Sequence, residues 1–341
     1  MVKKYITKEE FESVAVIGDD MRQIFHHQFN RNVYKNEIIK MKHEGSITEE
    51  DLKVAKLLFR FRFSTLQQLY EAVGTDKEIY SFSARLEKLL TYRIINKFML
   101  SYVEEDRLYH DSQQFYCLDI GGQYLLTHFS NEEDILDWFY IQSIATSEII
   151  ARSLMTFDVY NAFMRTCADK ISYFRPNPAL RVGTKTLVPA FEMALTHQTQ
   201  TVYFLGEVVR KQEVGTVFRH NTKKWNQLLN TNTWRKYYGQ ENDIPPVLLT
   251  MTADDVSALQ ASRILHESGE IAQFRVTSED RIKKMLYEKG SFLKYLPEHR
   301  QMREIRIRNF EPDNLKRALA PQQARQPRVD AQTLNIGEQN S

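Results

Sequence analysis

Short apolar runs alternate with amphipathic helical patterns from Ile171 onward, and this rhythm constrains the fold more than any other feature of the sequence. The apolar runs are "ISYF", "TLVPAFEMAL", "TVYFLGEVV", "PPVLLTM" and "AQFRVTS". Between the later runs, "VFRHNTKKWNQLLNTNTW" and "DDVSALQASRIL" have helical spacing. Strands that alternate with helices form a sheet that helices cover on at least one face. The sequence therefore predicts an α/β domain over residues 171–308.

A different order of patterns precedes this domain. Three helical patterns follow Thr48, and the third runs from about Lys77 to Tyr92. Two strand-like runs then flank the charged turn "EEDR". Helix, helix, helix and hairpin is the order of a winged helix-turn-helix. We therefore predict such a domain over residues 46–130.

Three further segments complete the predicted organisation. Apolar residues at helical spacing after the cap signature "TKEEF" predict a helical arm over residues 1–45. A bridging helix is predicted over residues 131–170, with Ser130 as its N-cap. Residues 309–341 are rich in Gln, Pro, Ala and Arg and nearly free of aromatic residues, which predicts a disordered basic tail.

The outward face of the third predicted helix carries Ser, Arg and Lys side chains, which are typical of a helix that enters a DNA groove. The candidate DNA-contacting residues here are Ser81, Ser83, Arg85, Lys88 and Arg93. A solvated helix face has a similar composition, and winged helices also serve as protein-interaction or dimerisation modules. Both readings remain open at this point.

Charge is distributed unevenly along the chain. The formal net charge is +2, yet residues 281–328 hold 13 Lys/Arg against 5 Asp/Glu, so this part carries +8 and the rest −6. Within it, "RIKKMLYEKGSFLKYLPEHRQMREIRIRNF" interleaves basic and aromatic residues. This pattern fits either a nucleic-acid-binding surface or an amphipathic helix that docks on its own domain.

Cysteines and apolar runs exclude several other classes. The two cysteines, Cys117 and Cys167, provide neither a disulfide framework nor a four-ligand zinc site. No apolar run approaches the roughly 18 to 20 residues that cross a bilayer, and the N-terminus lacks the apolar core of a signal peptide. We therefore expect a cytoplasmic protein without a membrane partner.

Two carboxylates, Glu192 and Glu207, lie inside the apolar runs "TLVPAFEMAL" and "TVYFLGEVV". Nucleases of the restriction-endonuclease type bind Mg²⁺ with an Asp on one strand and a Glu-x-Lys on the next. In this chain Ala190 stands at the Asp position and Val209 at the Lys position. Glu192 and Glu207 are catalytic candidates only if an active nuclease remains, with Arg210 or Lys211 as assisting cation.

A structural role is the alternative for both carboxylates. Glu192 would point outward on its strand, since alternate residues face opposite sides. Glu207 would need an ion-pair partner to offset the desolvation of a buried charge. The candidate partners are Arg210, Lys211 and Arg219.

The same strands resemble the plasmid replication-relaxation family of Gram-positive bacteria and their mobile elements. In that family Pro-Asp on one strand precedes Phe-x-x-Glu-x-Asp on the next, and a basic helix follows. The matching positions here are Pro189, Phe204 and Glu207, with Arg219, Lys223 and Lys224 in the basic helix. Ala190 and Val209 depart from the two Asp positions of the pattern. The resemblance covers about residues 48–240.

This resemblance implies a winged helix followed by a degenerate restriction-endonuclease-like domain. The implied function is DNA binding in the replication, relaxation or relaxosome assembly of a plasmid or conjugative element, without catalysis of its own. The implied partners are double-stranded DNA and a relaxase or replication protein, and a homodimer is one expected arrangement. Arg219, Lys223 and Lys224 would join the DNA-binding set. The alternatives are a divergent nuclease that uses Mg²⁺ and an adaptor that binds only protein; otherwise no cofactor or metal is expected.

Overall fold

A computed structural model describes residues 4–29, 33–103, 108–132, 134–197, 200–239, 244–269, 271, 273–307 and 310–311. The chain is a mixed α/β protein with two main sheets. In the described residues, no helix has both the length and the apolar character needed to span a membrane.

The N-terminal unit combines a four-stranded sheet with a layer of helices. Its helices are α1 (Lys35–His43), α2 (Glu49–Phe61), α3 (Leu66–Val73), α4 (Ile79–Thr91) and α5 (Ile120–Phe129). Its strands are β1 (Arg22–Phe25), β2 (Phe63–Thr65), β3 (Ile95–Ser101) and β4 (Phe115–Leu118), which pair antiparallel in the order β1-β3-β4-β2. The predicted succession of three helices and a hairpin is present, with β2 as an additional short strand.

Capping interactions explain where α2 and α3 begin. The Thr48 hydroxyl accepts a hydrogen bond from the Asp51 amide, and the Asp51 carboxylate accepts one from the Thr48 amide. Thr65 and Gln68 form the same reciprocal box at the start of α3. Reciprocal boxes of this kind satisfy amides that a helix N-terminus otherwise leaves unpaired. Gly74 ends α3 in the left-handed conformation, which glycine adopts without strain.

The predicted helical arm over residues 1–45 is wrong for most of its length. The Thr7–Glu10 capping hydrogen bonds form, but only one turn follows them. A short 3₁₀ turn at Val14–Val16 and strand β1 replace the helix, which starts only at Lys35 as α1. Val14, Ile17 and Met21 are buried in a core shared with α6 and the large sheet, so tertiary packing accounts for their apolar spacing.

The bridging helix α6 (Ser147–Cys167) begins later than predicted. Ser130 is instead the C-cap of α5, and its hydroxyl donates a hydrogen bond to the Leu126 carbonyl oxygen. Two 3₁₀ turns, Ile135–Asp137 and Tyr140–Ser143, occupy the intervening segment. The helix itself is almost surrounded by protein, because it packs between the two units.

The predicted alternation of strands and helices after Ile171 is confirmed. The strands are β5 (Ile171–Pro176), β6 (Leu180–Val182), β7 (Lys185–Leu187), β8 (Phe191–His197), β9 (Gln200–Val209), β10 (Val247–Thr252), β11 (Phe274–Ser278), β12 (Phe292–Leu296) and β13 (Gln301–Ile305). The helices are α7 (Val214–Asn230), α8 (Arg235–Tyr238), α9 (Asp255–Gly269) and α10 (Glu279–Ile282). Seven strands form one sheet in the order β13-β12-β11-β10-β9-β8-β5.

The centre of this sheet is parallel and its edges are antiparallel. Strand β10 pairs parallel with both β9 and β11, whereas β5, β8, β12 and β13 pair antiparallel. Helices α7 and α9 contribute to an apolar core on one face, and α6 contributes to the core on the other. The sheet is therefore the middle layer of three, and both its faces are covered.

The basic segment after residue 281 forms the hairpin β12–β13, so its interpretation as a docking helix is wrong. Phe292 pairs with Ile305 and Leu296 with Gln301 across this hairpin. Phe292, Leu293 and Tyr295 are buried, while Lys294 is exposed. Phe310 is fully buried against Phe163, Phe204 and Phe292, so the α/β core extends past residue 308. Apart from residues 310 and 311, the predicted tail over 309–341 lies outside the described residues.

Candidate functional site

Strands β8 and β9 bring the sequence-predicted carboxylates into one sheet. Phe191 pairs with Gly206, and the Ala190 amide donates a hydrogen bond to the Gly206 carbonyl oxygen at 2.8 Å. A Cβ atom on Gly206 would lie 1.9 Å from the Phe191 ring, so glycine is required for this close approach. Glu207 follows directly, opposite Thr250 of β10.

Glu207 is fully buried and forms an ion pair with Arg152 of α6. Arg152 also donates a hydrogen bond of 2.9 Å to the Val188 carbonyl oxygen, which fixes the guanidinium beside the strand. Burial raises the pKa of the Glu207 carboxyl, and the charge of Arg152 opposes that rise. The ion pair predicted for a structural role is thus present, but its partner is Arg152 and not Arg210, Lys211 or Arg219.

Glu192 is also buried, and the prediction that it points outward into solvent is wrong. Its Oε1 lies 2.7 Å from the guanidinium of Arg175, and the Tyr238 hydroxyl donates a hydrogen bond of 3.0 Å to Oε2. Burial raises the pKa of Glu192, while Arg175 and Tyr238 lower it. The alternation of side chains along the strand correctly predicted which face of the sheet Glu192 lies on. It did not predict that α8 covers this face with Tyr238.

The cations proposed to assist a nuclease are engaged elsewhere. Arg210 is buried, and its guanidinium lies 2.7 Å from both Asp19 and Glu213. Lys211 pairs with Asp254 at 3.4 Å. Asp19 belongs to the N-terminal segment, so Arg210 connects that segment to the end of β9.

These contacts do not fit a divalent metal. Mg²⁺ needs several oxygen ligands, and a neighbouring guanidinium repels it. Each of the two carboxylates already has a guanidinium partner, and Ala190 and Val209 are buried apolar side chains. Among the residues that the structure describes, no group of three His, Cys, Asp or Glu side chains is placed to hold a metal ion. The contacts of these residues therefore do not support metal-assisted hydrolysis.

The predicted DNA-contacting residues on and next to helix α4 fall into two groups, those engaged by other side chains and those that are exposed. Arg85 donates hydrogen bonds of 2.7 Å to Asp51 and to the Ser46 carbonyl oxygen. Arg93 similarly binds Asp119 at 2.6 Å. Arg85 thus connects α4 to α2, and Arg93, which follows the end of α4, connects this region to the start of α5. Ser81 and Lys88 are exposed, and they share the outer ridge of α4 with Tyr80, which is 83% exposed.

Helix α7 presents the predicted basic residues of the α/β unit. Its inner face is buried and carries Phe218, Trp225 and Leu228. Arg219 and Lys223 are exposed on the outer face, whereas Lys224 is partly buried near Asn221. Arg219 and Lys223 therefore form a basic solvent-facing pair.

A cleft of about 1030 Å³ lies between the two units, and sequence reasoning missed it. We call it the interdomain cleft; its lining includes Phe11, Gln68, Ser83, Asp158, Asn161 and Glu279. Ser83, predicted as a DNA contact, thus faces this cleft. The lining residues come from distant parts of the chain, and the one local signal is Asp158, a carboxylate between the apolar residues Phe157 and Val159.

Two carboxylates at the cleft have strongly perturbed acidity. Burial raises the pKa of Asp158 to about 7, although Gln68 donates a hydrogen bond of 2.7 Å to its Oδ1. Burial and then the nearby charge of Asp158 raise the pKa of Glu279 to about 7. Perturbed carboxylates in a cleft are typical of functional sites, although structural networks perturb acidity as well.

Comparison with known proteins adds little to these observations. No protein-family model matches this chain, and no curated protein matches it. A solved structure of the restriction endonuclease FokI aligns with 14% sequence identity and a TM-score of 0.25. The alignment covers 68% of this chain and 42% of that chain, so this chain spans less than half the length of the endonuclease. A similarity this low carries no argument about fold or function.

Proposed function

We propose that this protein binds double-stranded DNA through a winged helix-turn-helix and does not cleave it. One observation carries the proposal: α2, β2, α3, α4, β3 and β4 follow the order of a winged helix, and the outer ridge of α4 is left exposed. In such folds the second helix of the helix-turn-helix enters the major groove. Here that helix is α4.

The proposed contact set on α4 keeps two of the residues predicted from sequence and adds one. It consists of Ser81 and Lys88, together with Tyr80 at the start of the helix. A lysine neutralises phosphate charge, and a serine hydroxyl hydrogen-bonds phosphates or base edges. Arg85 and Arg93 act as positioning residues, because Asp51 and Asp119 hold their guanidinium groups.

The α/β unit supports the non-catalytic part of the proposal. The two carboxylates that would bind a metal are ion-paired with Arg152 and Arg175. We propose that this unit contributes Arg219 and Lys223 as a second phosphate-binding surface. The resemblance of its strands to the plasmid replication-relaxation family suggests a cytoplasmic role in plasmid replication, relaxation or relaxosome assembly, with a relaxase or replication protein as partner.

Substitution of Lys88 by alanine tests the α4 surface. We expect the variant to bind duplex DNA about tenfold more weakly, and the slope of log K against log salt to become shallower by about one, because one phosphate contact is lost. Fluorescence anisotropy over a salt series measures both quantities. Lys185→Ala, which removes an exposed lysine of the hairpin β6–β7, is the matched control and should bind as the wild type does.

The double variant R219A/K223A tests the second surface in the same assay. We expect its salt slope to become shallower by about two, since two cations are removed. An unchanged slope would restrict DNA contact to the N-terminal unit. If the salt slope becomes shallower in this double variant while Lys88→Ala binds DNA as the wild type does, α4 is not the contacting helix.

Incubation of supercoiled plasmid with the protein and Mg²⁺ or Mn²⁺ tests the absence of cleavage. We expect no conversion to nicked circles, because Glu207 and Glu192 are engaged by arginines. The variant Glu207→Gln is the control, because nicking by a contaminating nuclease would persist in it whereas nicking at this site would not. Nicking by the wild type that disappears in Glu207→Gln would support the alternative of a divergent metal nuclease.

A further inference from the structure

The hairpin β12–β13 places two cations directly opposite each other. Lys294 of β12 pairs with Arg303 of β13, and both side chains are exposed. They lie on the same face of the sheet as Phe292, whereas Leu293 and Tyr295 belong to the core on the other face. Like charges that are directly opposite in an antiparallel pair repel each other and destabilise the pairing. An anion bound between the two side chains would remove this repulsion.

Strand β11 adds a third cation to this pair. Val276 of β11 pairs antiparallel with Leu293 of β12. Arg275 and Lys294 are the next residues along these two strands, so they are neighbours on the opposite face of the sheet. Since neighbouring strands lie about 4.8 Å apart, Arg275, Lys294 and Arg303 form a line across three strands that spans about 10 Å. We call these three residues the cationic row; it ends at the edge strand β13.

The cationic row has no counter-charge. Within the described ranges of the chain, no Asp or Glu forms an ion pair with any of its three members. Arg275 is half-buried, and burial lowers the pKa of its guanidinium. Its Nη1 donates a hydrogen bond of 2.7 Å to the Phe274 carbonyl oxygen, which is a neutral acceptor. Desolvation of a charge without a counter-charge costs free energy, so a bound anion would stabilise this residue.

The carboxylates of the hairpin do not offset the row. Glu304 follows Arg303 in the chain and therefore lies on the other face of the sheet, where its Oε1 is 3.0 Å from the guanidinium of Arg281. The turn contributes one exposed residue of each charge, Glu298 and Arg300. The net charge of this face of the hairpin is thus set by the row itself.

The linear arrangement of the row favours a repeating anion over a single small one. One strand of B-DNA carries a phosphate about every 3.4 Å along the helix axis, so about three phosphates lie within the 10 Å that the row spans. Guanidinium groups bind phosphate oxygens with two parallel hydrogen bonds, and an ammonium group binds them as a point charge. The row provides two of the former and one of the latter.

We propose that the cationic row binds the phosphate backbone of DNA, as a contact surface separate from α4 and from the pair Arg219 and Lys223. This inference rests on the proposed function, because the ligand is the same double-stranded DNA. Phosphate oxygens accept hydrogen bonds from all three side chains and thereby remove both the cross-strand repulsion and the uncompensated charge of Arg275. Phosphate contacts fix the position of a protein on the duplex and carry no sequence information, so the row holds the DNA without reading it.

The double variant K294Q/R303Q of the full-length protein tests the row, because both residues are exposed and their substitution leaves the core intact. In fluorescence anisotropy on a labelled duplex, we expect at least about tenfold weaker binding and a salt slope shallower by about two, since two phosphate contacts are lost. The matched control K185Q/R263Q also removes one lysine and one arginine, at exposed positions of β7 and α9. Its affinity and slope should equal those of the wild type.

Thermal melting of the DNA-free protein separates ligand binding from a structural role. Because K294Q/R303Q removes a repulsive pair, it should melt no lower than the wild type. Added salt screens the repulsion, so the melting temperature of the wild type should rise more with salt than that of the variant. A variant that melts several degrees lower and loses DNA binding would show that the two residues support the fold, and would overturn the proposal.

The binding data also separate this inference from the proposed function. If the wild type binds DNA and a folded K294Q/R303Q variant binds it with the same affinity and salt slope, the row is a solvated surface and the inference fails alone. If the wild type binds no duplex at the lowest salt concentration, both fail. Weaker binding by K294Q/R303Q together with unchanged binding by Lys88→Ala would retain the row and reject α4.

Discussion

Replacement of Arg152 by alanine is expected to lower the free energy of unfolding by about 3–5 kcal/mol, because it leaves a buried carboxylate without a counter-charge. Glu207 is fully buried, and the guanidinium of Arg152 is its ion-pair partner. Without that guanidinium the carboxylate must either remain charged in an apolar site or take up a proton. Both alternatives cost free energy in the folded state. Urea denaturation at pH 7 measures the loss.

A surface ion pair provides the control for this experiment. Arg60 pairs with Glu132, and its side chain is 51% exposed. Arg60→Ala should cost no more than about 1 kcal/mol, as exposed ion pairs contribute little. The double variant R152M/E207L removes both charges and should recover most of the stability lost in Arg152→Ala. If Arg152→Ala costs as little as Arg60→Ala, Glu207 does not depend on Arg152 and would be free to serve as a ligand.

Asp158 and Glu279 are expected to make the protein less stable as the pH rises from about 4 to 8. Their carboxyl groups have a pKa of about 7 in the folded protein. In the unfolded chain the corresponding pKa values are about 4. The folded state therefore binds more protons than the unfolded state between these values, so the free energy of unfolding decreases with rising pH across this interval. Above pH 7 both states are ionised and the full penalty is present.

The expected contribution of the pair is roughly 2–4 kcal/mol, after allowance for partial solvation and for the coupling between the two groups. Asp158→Asn removes one of the titrating groups. The variant should gain stability over the wild type at pH 8 and gain little at pH 4, where Asp158 is protonated in the folded protein. Urea denaturation at both pH values measures this difference, and Glu298→Gln serves as the control. A variant whose pH dependence matches that of the wild type would show that Asp158 titrates normally.

The sequence predicted the α/β unit well because its strands are apolar and short, and because turns or helices separate them. It failed for β12 and β13, where charged residues such as Lys294 and Arg303 lie among apolar ones and give the segment the composition of a basic surface. The helical arm failed for a related reason. The spacing of Val14, Ile17 and Met21 fits a helix, but an irregular segment buries the same side chains against α6.

The contacts of the candidate site could be predicted only in part. The buried carboxylate of Glu207 needs a cationic partner, and its place in an apolar strand already indicated this need. The identity of that cation depends on how α6 crosses the sheet, and Arg152 lies 55 residues away along the chain. Arg85 and Arg93 looked like outward cations because local spacing does not reveal that Asp51 and Asp119 lie beside them. Apart from Asp158 between Phe157 and Val159, the interdomain cleft has no local signature, since α3, α6 and α10 contribute to it together.

We propose above all that this protein binds double-stranded DNA by neutralising its phosphates. Fluorescence anisotropy of the wild-type protein on a labelled duplex, measured over a series of salt concentrations, tests it most directly. With about four phosphate contacts, we expect the affinity to fall about a hundredfold between about 50 and 200 mM salt. Absence of binding to any duplex at the lowest salt concentration, or an affinity that does not change with salt, would show that the protein does not bind DNA in this way.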